Sequence, residues 1–226
     1  MDKNININNY DLFIFDLDDT LVNTEHYHYI IWLETLRSFI NNDFNFNFEF
    51  FCSKFHSTDL NGIKNYIINE LNLTMFELIV NTKNEKFLNF IKNENHNIQL
   101  IDGAEKFINN LLNNNKKFII VTNSSQNILE FYLNLFPILQ KSTKNYYREI
   151  FKIRKPSPEC YLHVIKDFPT YKKIAFEDSI TGIHALSQTN NEIDIIFINN
   201  ENYYYYDKII KNYKIKKYIK NFLELS

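Results

Sequence analysis

Two acids one residue apart, Asp16 and Asp18, end the short apolar run Asp11-Leu-Phe-Ile-Phe-Asp-Leu17, and Thr20 follows. A second run, Lys117-Phe-Ile-Ile-Val-Thr122, leads into Thr122, Asn123 and Ser124. A third, Lys173-Ile-Ala-Phe-Glu177, ends in the acid pair Glu177 and Asp178, and Lys155 lies in the segment Arg154-Lys-Pro-Ser-Pro158. Short apolar runs of this kind read as strands buried on both faces, as in parallel sheets. Functional groups of an open parallel sheet collect at the carboxyl ends of its strands. Four carboxylates, one amine and several hydroxyls would therefore meet along one edge. Carboxylates a few ångströms apart are unfavourable unless a cation sits among them. Hard oxygen donors in small number suit Mg²⁺, which keeps several waters and bridges to a phosphate.

Positioning these residues takes an alternating fold. Ile193 to Ile198 is a further buried strand, and Arg148 to Ile153 and Lys217 to Ile219 are weaker candidates. Between them, Gly103 to Leu112 places Ala104, Phe107, Ile108, Leu111 and Leu112 on one helical face. Pro158 to Ile165 opens with Ser157 as N-cap and Pro158 at the first helical position. Strand and helix alternate from about residue 101 onward, which predicts an α/β core with a mostly parallel sheet. The first strand is out of step, because roughly 75 residues of helical periodicity follow it. His28, Ile31, Trp32, Thr35, Leu36 and Phe39 share a helical face, and Phe48 to Phe55 is a second helix. Asp59 caps a third, and Thr74-Met-Phe-Glu77 has capping-box spacing before a fourth that ends near Asn95. The expected organisation is a core of residues 1–23 and 98–226, interrupted by an all-helical insert of residues 24–97.

Composition removes several classes of function. Lys+Arg 25 against Asp+Glu 27 gives a net charge of −2, which argues against electrostatic binding of nucleic acid or a membrane surface. Three glycines cannot write a glycine-rich phosphate loop. Cys52 and Cys160 lack C-x-x-C spacing, so neither a disulfide framework nor a zinc site is expected. The polar start of the chain has no apolar signal core, and no run approaches the roughly 18 apolar residues of a membrane span. A cytoplasmic location is the expectation. About 35 asparagines, with abundant Lys, Ile, Tyr and Phe, follow AT-rich codon usage more than function. Tyr203 to Tyr206 is accordingly read as a biased loop rather than a base-stacking platform. Trp32, Phe44, Phe46, Phe48, Phe50 and Phe51 are read as the core of the insert and its edge against the main domain rather than as a substrate-stacking wall.

Phe15-Asp-Leu-Asp-Asp-Thr-Leu-Val22, Val121-Thr-Asn-Ser124, Arg154-Lys-Pro-Ser-Pro158 and Phe176-Glu-Asp-Ser-Ile-Thr-Gly182 occur in this order. Together they closely resemble the motifs of the haloacid dehalogenase superfamily, and the insert resembles the small cap of its β-phosphoglucomutase-like and phosphoglycolate phosphatase-like subgroup. The resemblance implies a Rossmann-like core and a monomeric, Mg²⁺-dependent phosphatase for a small phosphorylated metabolite. Asp16 would be the nucleophile that becomes an aspartyl-phosphate, and Asp18 the general acid and base. Asp16, Asp18 through its backbone carbonyl and Asp178 would hold the metal, with Glu177 beside it or just behind these ligands. Thr122 and Lys155 would complete the catalytic set. Thr20, Asn123, Ser124 and the cap residue His28 would contact phosphate or substrate.

Three departures from the family pattern narrow this. Asp19 stands where glycine is usual, and if the position needs a positive φ, Asp tolerates it at some cost. Phe55-His-Ser-Thr-Asp59 lacks the arginine with which the sugar phosphomutases grip a distal phosphate, and Asn123-Ser-Ser-Gln126 lacks a nearby lysine. Both absences weigh against the rival reading, a β-phosphoglucomutase-type mutase. A non-catalytic phosphate-binding module on the same scaffold is the remaining alternative, and no core residue is missing that would favour it.

Overall fold

The computed structural model describes residues 5–56, 58–93, 97–199 and 210–225. Tyr203 to Tyr206 lie outside them. The chain opens with strand β1 (Leu12–Phe15) and continues into helices α1 (Glu25–Phe39), α2 (Phe48–Lys54), α3 (Leu60–Asn65) and α4 (Phe76–Asn93). There follow α5 (Ala104–Asn113), β2 (Lys117–Val121), α6 (Gln126–Leu135), β3 (Lys144–Tyr146) and α7 (Glu159–Asp167). β4 (Lys173–Glu177), α8 (Ile180–Ser187), β5 (Ile193–Ile198) and β6 (Lys217–Ile219) complete the order. The chain divides into two compact units, Met1–Asn23 with Gln99–Ser226, and Thr24–Ile98. Among the described residues, no helix is long and apolar enough to cross a membrane.

The first unit holds a parallel six-stranded sheet in the order β3-β2-β1-β4-β5-β6, an α/β Rossmann-like arrangement. β1 is central, with Ile14 opposite Ile119 of β2 on one side and Ala175 of β4 on the other. Its four residues are all buried, as a strand covered on both faces requires. Phe15 stacks on Phe176 at 4.8 Å, and Phe107 of α5 stacks on Phe222 at 5.5 Å. Fully burying each such ring contributes roughly 1.5–3 kcal/mol. This aromatic block fixes the two strand ends that carry the acids. Asn23 and Gln99, at the two crossings to the insert, are joined by a 2.9 Å backbone hydrogen bond.

Two local expectations are corrected. Arg148 to Ile153 is not a strand: Arg148–Ile150 is a 3₁₀ turn, and the outer strand is Lys144–Tyr146. A three-residue edge strand with polar residues at two positions leaves too little apolar pattern to read. Helix α7 begins one residue later than expected, with Pro158 at its cap and the Ser157 hydroxyl accepting from the Glu159 amide at 3.3 Å. Elsewhere the cap signal holds, since the Asp59 carboxylate accepts from the Gly62 amide at 2.8 Å at the start of α3.

Positive φ occurs at Asp19, Asn72, Asn115, Asn190 and Asn191, and among glycines at Gly103. Short polar side chains thus occupy the left-handed positions that glycine usually fills. At Gly103 glycine is needed twice over, because a Cβ there would also run into the backbone of Phe222 and Leu223.

In the second unit, α1 packs against α4. Trp32, Phe46, Phe51 and Phe55 are buried, with Trp32 and Phe55 rings 4.8 Å apart, whereas Phe44, Phe48 and Phe50 of the expected core are only half-buried. The same unit buries a charged cluster. His56 Nδ1 lies 2.7 Å from Glu25 Oε1, and the Lys83 ammonium donates to His28 Nδ1 at 2.9 Å. Burial raises the Glu25 pKa, but His56, with His28 and Lys83 beyond it, outweighs that and holds the carboxyl below its ordinary value.

Candidate active site

β1, β2 and β4 end side by side, and the order of winding reverses between β1 and β4. Ligands of open α/β sheets bind at such a switch point. Asp16 follows β1, Thr122 follows β2, and β4 ends in Glu177 with Asp178 directly after it. Thr122, Asp16, Glu177 and Asp178 are all buried.

Lys155 organises the centre. Its ammonium donates to Asp16 Oδ1 at 2.6 Å, to the Val121 carbonyl at 2.9 Å, and in a shorter contact to Glu177 Oε1. All three of its protons are thereby engaged. Burial disfavours charge on Lys155, but Asp16 and Glu177 overcome this and hold its pKa well up. Asn123 fixes the lysine from behind, its amide donating to the Lys155 carbonyl at 3.3 Å and its carbonyl accepting from the Lys155 amide at 3.1 Å.

Glu177 is wholly committed to protein partners. Oε1 accepts from Lys155 and from the Tyr161 hydroxyl at 3.0 Å, and Oε2 from the Ser179 amide at 3.2 Å and hydroxyl at 2.9 Å. The carboxylate lies against Gly182, where any Cβ would overlap its carboxyl carbon and both oxygens. The glycine of the fourth motif is therefore a packing requirement of Glu177. Tyr161 and Ser179 were not singled out from the sequence. Ser179 was readable as the N-cap of α8, where its hydroxyl accepts from the Gly182 amide at 3.0 Å.

Thr20 donates to Asp178 Oδ1 at 2.8 Å. The Ser124 hydroxyl donates to Asp18 Oδ2, with Thr122 Oγ1 at 3.5 Å from the same oxygen, and the Ser124 amide donates to Thr122 Oγ1 at 2.9 Å. Thr20, Asn123 and Ser124 thus all make contacts that orient other members of the set. Asp19 adopts φ 57° and is buried, and its amide donates to the Val22 carbonyl at 2.7 Å, which closes the loop after β1. Within the first unit the structure brings together the sequence-predicted site residues of the core; His28 belongs to the helical unit, where it is stacked on Phe87 at 4.1 Å.

The donor set fits a divalent cation. Asp16, Glu177 and Asp178 each offer a carboxylate oxygen, and these lie within 4.8 Å of one another. Burial raises the pKa of Asp16 well up, against the pull of Lys155 and with the push of Glu177 and Asp18. Asp178 is raised likewise, by burial first and then by Asp16, Glu177 and Asp19. One ammonium among several buried carboxylates leaves an excess of negative charge, the condition a hard cation relieves.

A sequence model of the haloacid dehalogenase-like hydrolases matches residues 10–189, which spans all four motifs. The chain belongs to that family. This family member has solved structural relatives at low identity. A family IA hydrolase, variant 3, from Entamoeba histolytica is 22% identical and superposes with a TM-score of 0.77, over 96% of this chain and 95% of that one. CbbY from Rhodobacter sphaeroides, solved in complex with phosphate, is 17% identical, covers 96% of each chain and has a TM-score of 0.70. A variant of CbbY in complex with xylulose-1,5-bisphosphate is 16% identical, over 96% of both chains, with a TM-score of 0.72. A search of curated proteins finds no significant match.

Proposed function

We propose that this hydrolase is a phosphatase that cleaves a small phosphomonoester through an aspartyl-phosphate on Asp16, with Mg²⁺ as its cation. The observation that carries the reading is the Lys155 ammonium held between Asp16 and Glu177, beside Asp178 and Asp18. That density of fixed charge is what phosphoryl transfer needs, since its catalysis rests on positioning and electrostatic stabilisation. The phosphate and bisphosphate bound by CbbY support a phosphorylated ligand for this chain too.

Asp16, Asp178 and the Asp18 carbonyl would hold the metal. Glu177 is assigned instead to fixing Lys155, because both its oxygens already accept hydrogen bonds. A bound divalent cation supplies charge stabilisation for the phosphoryl oxygens. Lys155 holds Asp16 in place and offsets charge on the phosphoryl group. The Asp16 carboxylate attacks phosphorus while the bond to the leaving oxygen breaks and Asp18 gives that oxygen its proton. A water then attacks the same phosphorus, Asp18 takes the water's proton, and the bond to Asp16 breaks to release phosphate. Ser124 keeps Asp18 oriented through both transfers, and Thr122 donates toward the phosphoryl oxygens.

A phosphometabolite panel with phosphate release as readout, with and without Mg²⁺, tests the reading. The expected result is metal-dependent release that Asp16→Asn abolishes. Absence of release from wild-type protein would overturn it, and so would isomerised sugar phosphate formed only with a bisphosphate, which signifies a mutase.

A further inference from the structure

One buried polar group close to the site takes no part in the chemistry above. Tyr132 lies two turns into α6, on the face it shares with buried Leu129. It is fully buried, and its hydroxyl has no hydrogen-bond partner among the described residues. Native proteins almost always satisfy such groups, so an exception asks for an explanation. Phenylalanine would fill the same space without a stranded hydroxyl, so packing alone does not account for tyrosine here.

The direction of the side chain supplies one. Helical side chains lean toward the N-terminus of their helix. The N-terminus of α6 follows directly on Ser124, whose hydroxyl donates to Asp18 Oδ2. The Tyr132 hydroxyl is therefore carried back toward the end of α6 that follows Ser124, the residue that holds Asp18. Burial raises the pKa of Tyr132 well up, and the charge of Asp18 adds to it. The phenol accordingly stays protonated, a donor in need of an acceptor.

The geometry points to Tyr132 as a positioning residue for Asp18: through one enclosed water its hydroxyl donates to the carboxylate that Ser124 also holds. Two donors on one carboxylate, one from the loop before α6 and one from within it, fix the orientation from which Asp18 delivers its proton. A bridging water serves nearly as well as a direct hydrogen bond in such a role. The inference rests on Asp18 being the general acid of the proposed function.

The test is Tyr132→Phe, which removes only the hydroxyl, read by leaving-group release in a single turnover with Mg²⁺. Two substrates are compared: p-nitrophenyl phosphate, whose leaving group departs without a proton, and the best alkyl phosphate of the panel, whose leaving group needs one. The variant is expected to melt no lower than wild type and to slow the alkyl ester about tenfold, a fraction of what general acid catalysis contributes. The aryl ester should change less than about twofold and KM for both should hold, since ground-state binding is untouched. Equal slowing of both esters would mark a merely structural role and overturn the inference, as would unchanged rates for both. Failure of the underlying reading looks different: wild type would release neither leaving group, or Asp18→Asn would slow the two esters equally.

Discussion

Replacing Gly182 by alanine should be far more damaging than its helical position suggests. The residue sits at the third position of α8, where alanine alone would favour the helix by about 1 kcal/mol. The added methyl, however, would come far inside 3.0 Å of the Glu177 carboxylate, which has nowhere to go. That carboxylate is fully buried and held by Lys155, Tyr161 and Ser179. Displacing it leaves the buried Lys155 ammonium short of one of its two anions, and breaking a buried pair costs about 3–5 kcal/mol. Setting the helical gain against that loss leaves a net destabilisation of about 2–4 kcal/mol. For a chain of this length the melting temperature should fall by roughly 5–15 °C. Lys155 would also be freed from its fixed place against Asp16, so phosphate release should drop by at least about tenfold. Thermal unfolding by circular dichroism and a phosphate-release assay on the same preparation read both effects. A Gly182→Ala protein that melts as high as wild type and turns over at the wild-type rate would refute the packing argument.

Two further outcomes follow from the two units. Mg²⁺ should raise the melting temperature, because a ligand at 100 times its Kd stabilises by about 2.7 kcal/mol. Asp178→Asn should remove that rise, and a wild-type melting curve insensitive to Mg²⁺ and to chelator would count against the metal site. In the helical unit, Glu25 has a folded pKa below its ordinary value of 4.5, so its pairing stabilises above that value. The contribution is lost as pH falls through the lower folded value. Glu25→Gln should therefore flatten the acid limb of stability against pH, and unaltered slopes in melting scans would contradict the buried pair.

The site was legible because its residues follow strands whose apolar runs are unmistakable, and because acids at strand ends have few structural reasons to be there. Asp16 and Asp178 were placed by that logic, and Lys155 by the resemblance of its segment to the family motif. What the sequence concealed was the division of labour. Glu177 reads as lying near the metal or just behind its ligands, and its four accepted hydrogen bonds give it to Lys155 and its neighbours. Asn123 and Ser124 read as phosphate donors, yet their partners are Lys155 and Asp18. Tyr161 was hidden because an aromatic on the inner face of a helix looks like any core residue. The edge strand β3 was hidden by its length. Conversely, the glycine usual in the family at position 19 pointed to a positive φ that Asp tolerates, and Asp19 adopts φ 57°.

The asparagines at left-handed positions bear on a state of the chain that the fold does not display. Asn72, Asn115, Asn190 and Asn191 each adopt a backbone conformation that glycine reaches without strain. Glycine also explores more of conformational space once the chain unfolds, and it gives up more on folding. Asparagine adds local strain in the native protein but narrows the ensemble from which folding begins. A sequence with three glycines in 226 residues therefore folds from a stiffer coil than its turn count would suggest. Its codon bias, which looked like noise around the chemistry, lowers the entropy that the turns must lose.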